Sequence, residues 1–218
     1  MCVTFVTGLV VGVQLGLVAG MVISIGILLE HSAYPDMAIL EKSQYGTIQN
    51  SEHWEKSKPI PNTCMVRIDA SLFFTNVERF KSFIITAVSR HDYSDAVTNG
   101  CHKWLLIDFK GVNDIDFMGL DMLDTLIGEL DQDGISLVLA NLKGRVVRNI
   151  EHYKGLRKKI GGAHHLCISM DAAVKLTQTW TPSTIENHRL GSAAHEYREL
   201  ASQMTNGMAS FSFSLGEK

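Results

Sequence analysis

Trp104-Leu105-Leu106-Ile107-Asp108-Phe109 is a nearly continuous apolar run, and the segments on either side are organised around it. Such a run reads as a strand covered on both faces, the condition of a largely parallel sheet with helices packed on it. Upstream, Cys64-Met65-Val66-Arg67-Ile68-Asp69-Ala70 alternates like a strand. Asn76 then offers an N-cap to a helix that places Val77, Phe80, Phe83, Ile84, Ala87 and Val88 on one face. Downstream, Asp116 caps a helix carrying Leu120, Leu123, Leu126, Ile127 and Leu130 inward, until Gly134 ends it. Ile135–Ala140 is a third strand, followed by a helix around Val146 to His152. A short strand at Leu166-Cys167-Ile168 and a last helix from Asp171 through Leu176 complete the set. Strands alternating with helices predict a layered α/β domain with a mixed, largely parallel sheet over residues 63–179.

The flanks differ from this core. Residues 31–62 are polar and irregular and read as a linker closed by Pro59 and Pro61, with Met37-Ala38-Ile39-Leu40 as a short edge strand. Residues 180–218 read as a polar, partly disordered tail in which Ser192 to Met204 forms a weak amphipathic helix.

The first charge in the chain is Glu30. A helix over Met1–Leu29 would reach about 43 Å, against roughly 30 Å of bilayer hydrocarbon. Residues 1–30 therefore read as a transmembrane segment, either one long helix or two short ones. Gln14 marks the break or makes an interhelical hydrogen bond. A secretory signal would carry a basic start and a shorter apolar stretch, yet no Lys or Arg precedes Lys42. A soluble core helix would not be apolar on every face for so long. Gly8, Gly12, Gly16 and Gly20 recur every fourth residue, with Ser24 next, and form a smooth ridge on one helix face. That ridge calls for other transmembrane helices, from the rest of a bundle or from a second copy.

With 218 residues the remainder suffices for one soluble domain. A formal charge of −3 gives no electrostatic case for a nucleic-acid partner. Cys2, Cys64, Cys101 and Cys167 have no paired spacing, which fits thiols in a reducing compartment better than a disulfide framework or zinc site. Flanking charge does not set the orientation of the apolar segment, because Lys42 stands alone among Glu30, Asp36 and Glu41.

This succession resembles the STAS domain, the α/β module shared by anti-sigma-factor antagonists and the cytoplasmic tails of SulP-type anion permeases. Two stretches carry the resemblance: Val66-Arg67-Ile68-Asp69-Ala70-Ser71-Leu72-Phe73-Phe74-Thr75-Asn76, and Leu106-Ile107-Asp108-Phe109 through Val112, Ile115-Asp116 and Gly119. The apolar head, with Val6-Thr7 and Gly12-Val13-Gln14-Leu15-Gly16-Leu17, is similar to the last membrane segments of a SulP (sulfate permease-like) protein. The resemblance implies a membrane location with the STAS domain cytoplasmic, and a regulatory or interaction role. Partners would be the lipid bilayer, other membrane helices and a protein bound through the STAS surface.

The departures also have consequences. Free STAS antagonists are switched by phosphorylation of a serine directly after the aspartate of this loop; here Phe117 and Met118 follow Asp116, so that switch is not expected. SulP permeases resemble inverted-repeat transporters whose anion site lies between broken helices, and one apolar run does not build such a site. The expectation is a fragment of a longer transporter or a degenerate tethered STAS protein. In neither case is anion transport by the chain alone expected.

The candidate interaction surface is the loop Asn113, Asp114, Asp116, Phe117 and Gly119 with the start of the helix after it. Lys143, Arg145 and Arg148 near a helix start are candidates for phosphate or lipid contact, and Lys154, Arg157, Lys158 and Lys159 form a second basic cluster, a candidate for contact with anionic lipid headgroups. A solvated basic face is the plainer reading of both, and no P-loop accompanies them. Asp108, Asp114, Asp116, Asp121 and Asp124 form the densest acidic group, but Asp121 and Asp124 sit three apart on a solvated helix face and Asp116 serves as a cap. No metal is expected. His164 and His165, adjacent on an extended segment, point to opposite sides. Ser71 and Ser169 have no His and acid arrangement around them. No catalytic residues, no cofactor and no enzyme activity are therefore expected. The alternative function is a stand-alone, membrane-tethered interaction or nucleotide-binding signalling protein.

Overall fold

The computed structural model describes residues 13–43, 48–50, 57–94, 101–160 and 164–179. The chain divides at Pro35 into two compact units. The first holds helix α1 (Val13–Ala33), and within it Val13–Glu30 is long and apolar enough to cross a membrane. Its Leu, Ile, Val and Met side chains are exposed all round, as a helix made for lipid requires. The Ser24 hydroxyl donates to the Gly20 carbonyl at 2.8 Å, which satisfies it within the helix. α1 runs unbroken through Gln14, Gly16 and Gly20; Gly8, Gly12 and any break before Val13 lie outside the described residues.

The second unit is an α/β sandwich. Its strands are β1 (Met37–Ser43), β2 (Ile48–Asn50), β3 (Ser57–Lys58), β4 (Thr63–Ile68), β5 (Lys103–Asp108), β6 (Ile135–Ala140) and β7 (His165–Cys167). Its helices are α2 (Val77–Arg90), α3 (Phe117–Gln132), α4 (Gly144–His152), α5 (Lys154–Lys159) and α6 (Met170–Thr179). The sheet order is β2-β1-β4-β5-β6-β7, with β3 also paired to β1. β4 to β7 run parallel, with Val66 beside Ile107, Ile107 beside Leu139 and Leu139 beside Leu166. β1 is antiparallel to β2, β3 and β4. The mixed, largely parallel sheet expected from the sequence is thus present.

Period-two geometry sends alternate residues to opposite layers. Cys64, Val66, Ile68, Leu105, Ile107, Leu137 and Leu139 face one core, where Phe80, Ile84, Leu123, Leu126, Ile127, Val146, Ile150 and Leu156 from α2 to α5 meet them. Met65, Trp104, Leu106, Val138 and Ala140 face the other, closed by Met170, Ala173 and Val174 of α6. Two covered faces explain why β5 and β6 read as unbroken apolar runs.

Some expectations are corrected. Met37–Leu40 opens a seven-residue strand: Met37–Ile39 pair with β4, and Leu40–Ser43 run on to pair with β2 and β3. The segment read as a linker supplies three strands, because short polar pairings such as Leu40 with Asn50 and Lys42 with Lys58 extend the sheet outward. Asn76 stands at the N-cap position of α2 but makes no side-chain cap bond. Its buried amide turns back instead, accepting from Phe73 N–H at 3.1 Å and donating to the Ser71 carbonyl at 2.9 Å. Asp116 does cap α3, and Gly134, with φ +68°, ends it. The basic run Lys154–Lys159 is a helix of its own, separated from α4 by Tyr153 alone. The helix expected over Ser192 to Met204 and the rest of the tail lie outside the described residues.

Candidate functional site

Two loops at the carboxyl ends of the parallel strands are zipped together. Leu72, after β4, and Ile115, after β5, form an isolated parallel bridge. The Leu72 N–H donates to the Asp114 carbonyl, and the Asp116 N–H donates to the Leu72 carbonyl, each at 3.1 Å. The Ser71 hydroxyl accepts from Asp114 N–H at 3.2 Å. The Asp116 carboxylate completes the joint: one oxygen accepts Gly119 N–H and the other accepts Phe74 N–H, both at 2.8 Å. One side chain thus caps a helix and fixes the opposite loop. Two glycines allow the close approach. A Cβ on Gly111 would lie 2.5 Å from the Asp69 Cα, and one on Gly119 would lie 2.7 Å from Ile115 Cγ1.

Helix α4 forms the third wall. The Asn149 amide donates to the Ile115 carbonyl at 3.2 Å and to the Asp114 carboxylate at 3.4 Å. The Arg145 guanidinium lies 3.4 Å from Asp114, and the Lys143 ammonium donates to the Asn113 side-chain oxygen. The acidic loop and the basic helix start, thirty residues apart in sequence, are therefore one structure. Lys143 and Arg145 are committed to the loop, while Arg148 is exposed and separate from it. Exposed pairs of this kind contribute about 0–1 kcal/mol each, so they orient the loop more than they stabilise the fold.

This framework presents apolar groups to solvent. Phe74 is 70% exposed and Phe117 67% exposed, with Met118 beside them. Phe117 meets the Tyr153 ring edge-on, with centroids 5.8 Å apart. The Tyr153 hydroxyl donates to Asp121 at 2.9 Å, and that bond raises the phenol above its ordinary pKa. Sequence reasoning marked Phe117 but missed Phe74, Asn149 and Tyr153. The adjacent pair Phe73-Phe74 in a polar loop was the available signal, with Phe73 half-buried and Phe74 projecting.

The remaining chemical candidates have structural roles. Asp108 is buried, accepting from Lys110 N–H at 3.0 Å and from the Asn141 amide at 2.8 Å. Asp124 pairs with Lys159 at 2.8 Å. The five aspartates are thus distributed among separate partners, and among the described residues no group of three His, Cys, Asp or Glu converges for a metal. His164 and His165 do face opposite ways. The His164 Nδ1 accepts Leu137 N–H at 3.0 Å, which leaves Nε2 to carry the proton toward Asp131 at 3.0 Å. His165 lies by Trp104 on the other layer. Burial keeps His164 below the ordinary histidine pKa, against the pull of Asp131. The Ser169 hydroxyl accepts Ala172 N–H at the start of α6. The Cys64 thiol is pushed up to about 12 by burial, far from a reactive thiolate.

The sequence profile of the STAS domain matches residues 56–167. Over 163 residues, 73% of this chain, there is 27% identity with Sulfate transporter 3.1 of Arabidopsis thaliana, of which 25% is covered. Over 154 residues, 68% of the chain, there is 27% identity with High affinity sulfate transporter 2 of Stylosanthes hamata, of which 23% is covered. The chain therefore spans about a quarter of the length of the curated relatives it matches. Among solved structures, the murine Solute Carrier 26 family member A9 anion transporter in the inward-facing state matches with TM-score 0.70 at 21% identity. That match covers 82% of this chain and 28% of the transporter chain. At that identity the likeness establishes the fold.

Proposed function

Because the chain belongs to the STAS domain family, we propose that it works as the regulatory and interaction portion of a SulP-like anion permease, with the STAS domain on the cytoplasmic side of the membrane. The curated relatives, sulfate transporters by name, support an association with sulfate or related anions. The apolar helix Val13–Glu30 ahead of the sheet supports a membrane location. Residues 1–30 would pack against other membrane helices through the ridge that includes Gly16 and Gly20. Residues 180–218 would form a polar tail. Transport by this chain alone is not part of the reading, since a midplane anion site needs several broken helices.

One observation carries the interaction role. The loop Asn113–Gly119 is held by β4's loop, by its own cap and by α4, and the two joined loops present Phe74, Phe117 and Met118 to solvent. Preorganised, exposed aromatic groups lose little entropy on binding and are typical anchors of protein interfaces. The nucleotide-binding alternative draws no support from Lys143 and Arg145, which already engage Asn113 and Asp114. A photo-crosslinking residue at Phe117, with Ile85 on α2 as the control position, tests the proposal in native membranes. A discrete adduct from position 117 but not from 85 is expected. Equal labelling from both, or none from 117, would sink the interaction reading.

A further inference from the structure

We propose that the solvent side of α4 and α5 is a docking surface for an anionic phospholipid bilayer. Between Lys143 and Lys159 the chain carries seven Lys or Arg against the single carboxylate of Glu151, although its overall charge is −3. The surface is therefore a local device and not a consequence of composition. Buried Val146, Val147 and Ile150 fix the inward face of α4, and Leu156 that of α5. Arg148 on α4 and Lys154, Arg157 and Lys158 on α5 are all exposed. On α5 the spacing i, i+3, i+4 puts the three on one face.

The neighbouring charges are spent, and among the described residues these four are not. Lys143 engages Asn113, Arg145 faces Asp114 and Lys159 pairs with Asp124. Among the carboxylates packed near α5, Asp121 accepts the Tyr153 hydroxyl and Asp124 holds Lys159. No ion pair among the described residues involves Arg148, Lys154, Arg157 or Lys158. Exposed cations on flexible stems, spread over two helices, suit a diffuse planar negative surface better than one enclosed anion. The same chain carries a helix able to cross a membrane, so a bilayer is the polyanion it would meet at high local concentration. This surface is distinct from the Phe74 and Phe117 tip, and the inference stands whether or not that tip binds a protein.

Each basic residue near an anionic membrane contributes roughly fivefold to the docked-to-free ratio, so the four together contribute several-hundredfold. The test uses the full chain in nanodiscs of phosphatidylcholine alone or mixed with phosphatidylserine, read by amide hydrogen exchange over α4 and α5. Slower exchange there is expected only in the phosphatidylserine discs. It should vanish at high salt and in the variant carrying Arg148→Gln, Lys154→Gln, Arg157→Gln and Lys158→Gln. Exchange in β5 and β6 of that variant reports whether the fold is intact, and the lipid and salt arms on the unaltered chain decide even if it is not. Equal exchange in both discs, or phosphatidylserine-dependent protection that survives in the folded variant, would overturn the proposal. So would equal protection in neutral discs by poly-glutamate or inorganic phosphate, which would assign the surface to an acidic protein or a free anion.

Discussion

The Asp116 carboxylate accepts the Phe74 N–H at 2.8 Å across a sequence separation of 42 residues, while its other oxygen caps α3 at Gly119. The loops after β4 and β5 are therefore set by one side chain, and the two exposed aromatics Phe74 and Phe117 flank it. Removing that carboxylate loses a helix cap and a charge-assisted bond together. Asp116→Ala is expected to cost about 2–3 kcal/mol in urea unfolding, and Asp116→Asn, which keeps an acceptor, about half of that. Exchange of the Phe74 amide should accelerate in Asp116→Ala; an unchanged rate would show that the bond does not hold the loop.

Glycine positions separate two physical effects. At Gly111 a Cβ would meet the Asp69 Cα at 2.5 Å and the Ile68 carbonyl oxygen at 2.7 Å, both backbone atoms of the adjoining strand end. Gly111→Ala must push the loops apart and is expected to cost about 3 kcal/mol or more. Gly128, inside α3, would place its Cβ no closer than 3.8 Å to the Lys159 ammonium. Gly128→Ala should stabilise by about 0.5–1 kcal/mol through helix propensity. Thermal unfolding of the two variants must move in opposite directions.

Three histidines give the stability a defined pH dependence. Burial lowers the pKa of His91, His102 and His164 below the ordinary histidine value of about 6.5. Above about pH 6.5 both the folded and unfolded states hold neutral imidazoles, and the contribution is complete. As pH falls below 6.5 the unfolded chain binds protons first, so stability is lost on acidification. Protonated His164 would also turn an N–H toward the Leu137 N–H that it now accepts at 3.0 Å. His164→Gln can retain an acceptor without titrating. The drop in urea midpoint between about pH 7 and pH 5 should be smaller in that variant; an identical drop would exclude His164 as a contributor.

Much of the sheet was legible because burial on both faces writes itself into composition. Trp104–Phe109 and Ile135–Ala140 could only be covered strands, and Asp116 followed by an amphipathic run could only begin a helix. What failed was decided by pairing across the chain. β1 runs on past Ile39 to pair with β2 and β3, which are three and two residues long and too short to carry a period. Asn76 has the residue type and position of a cap, yet its amide is used by Ser71 and Phe73, a choice local preference does not determine. The site shows the same division. Asn113, Asp114 and Phe117 were visible as one loop, but its junction with Lys143, Arg145 and Asn149 depends on how α4 returns over the sheet.

Phe117 allows the interaction role to be separated from folding. Its ring is mostly exposed, and its principal partner is the edge of Tyr153 at 5.8 Å. Phe117→Ser removes that contact, worth about 0.5–1.5 kcal/mol, and leaves the cap at Asp116 in place because that bond uses backbone N–H groups. The variant should therefore unfold within about 1.5 kcal/mol of the original chain while losing association with its membrane or soluble partner. Phe117→Tyr, which keeps the ring, should retain both. Co-purification from solubilised membranes, run beside urea unfolding, supplies the two readings. If Phe117→Ser keeps its partner, the exposed aromatic tip is not the contact surface; if it loses stability well beyond the Tyr153 contact, Phe117 is a structural residue.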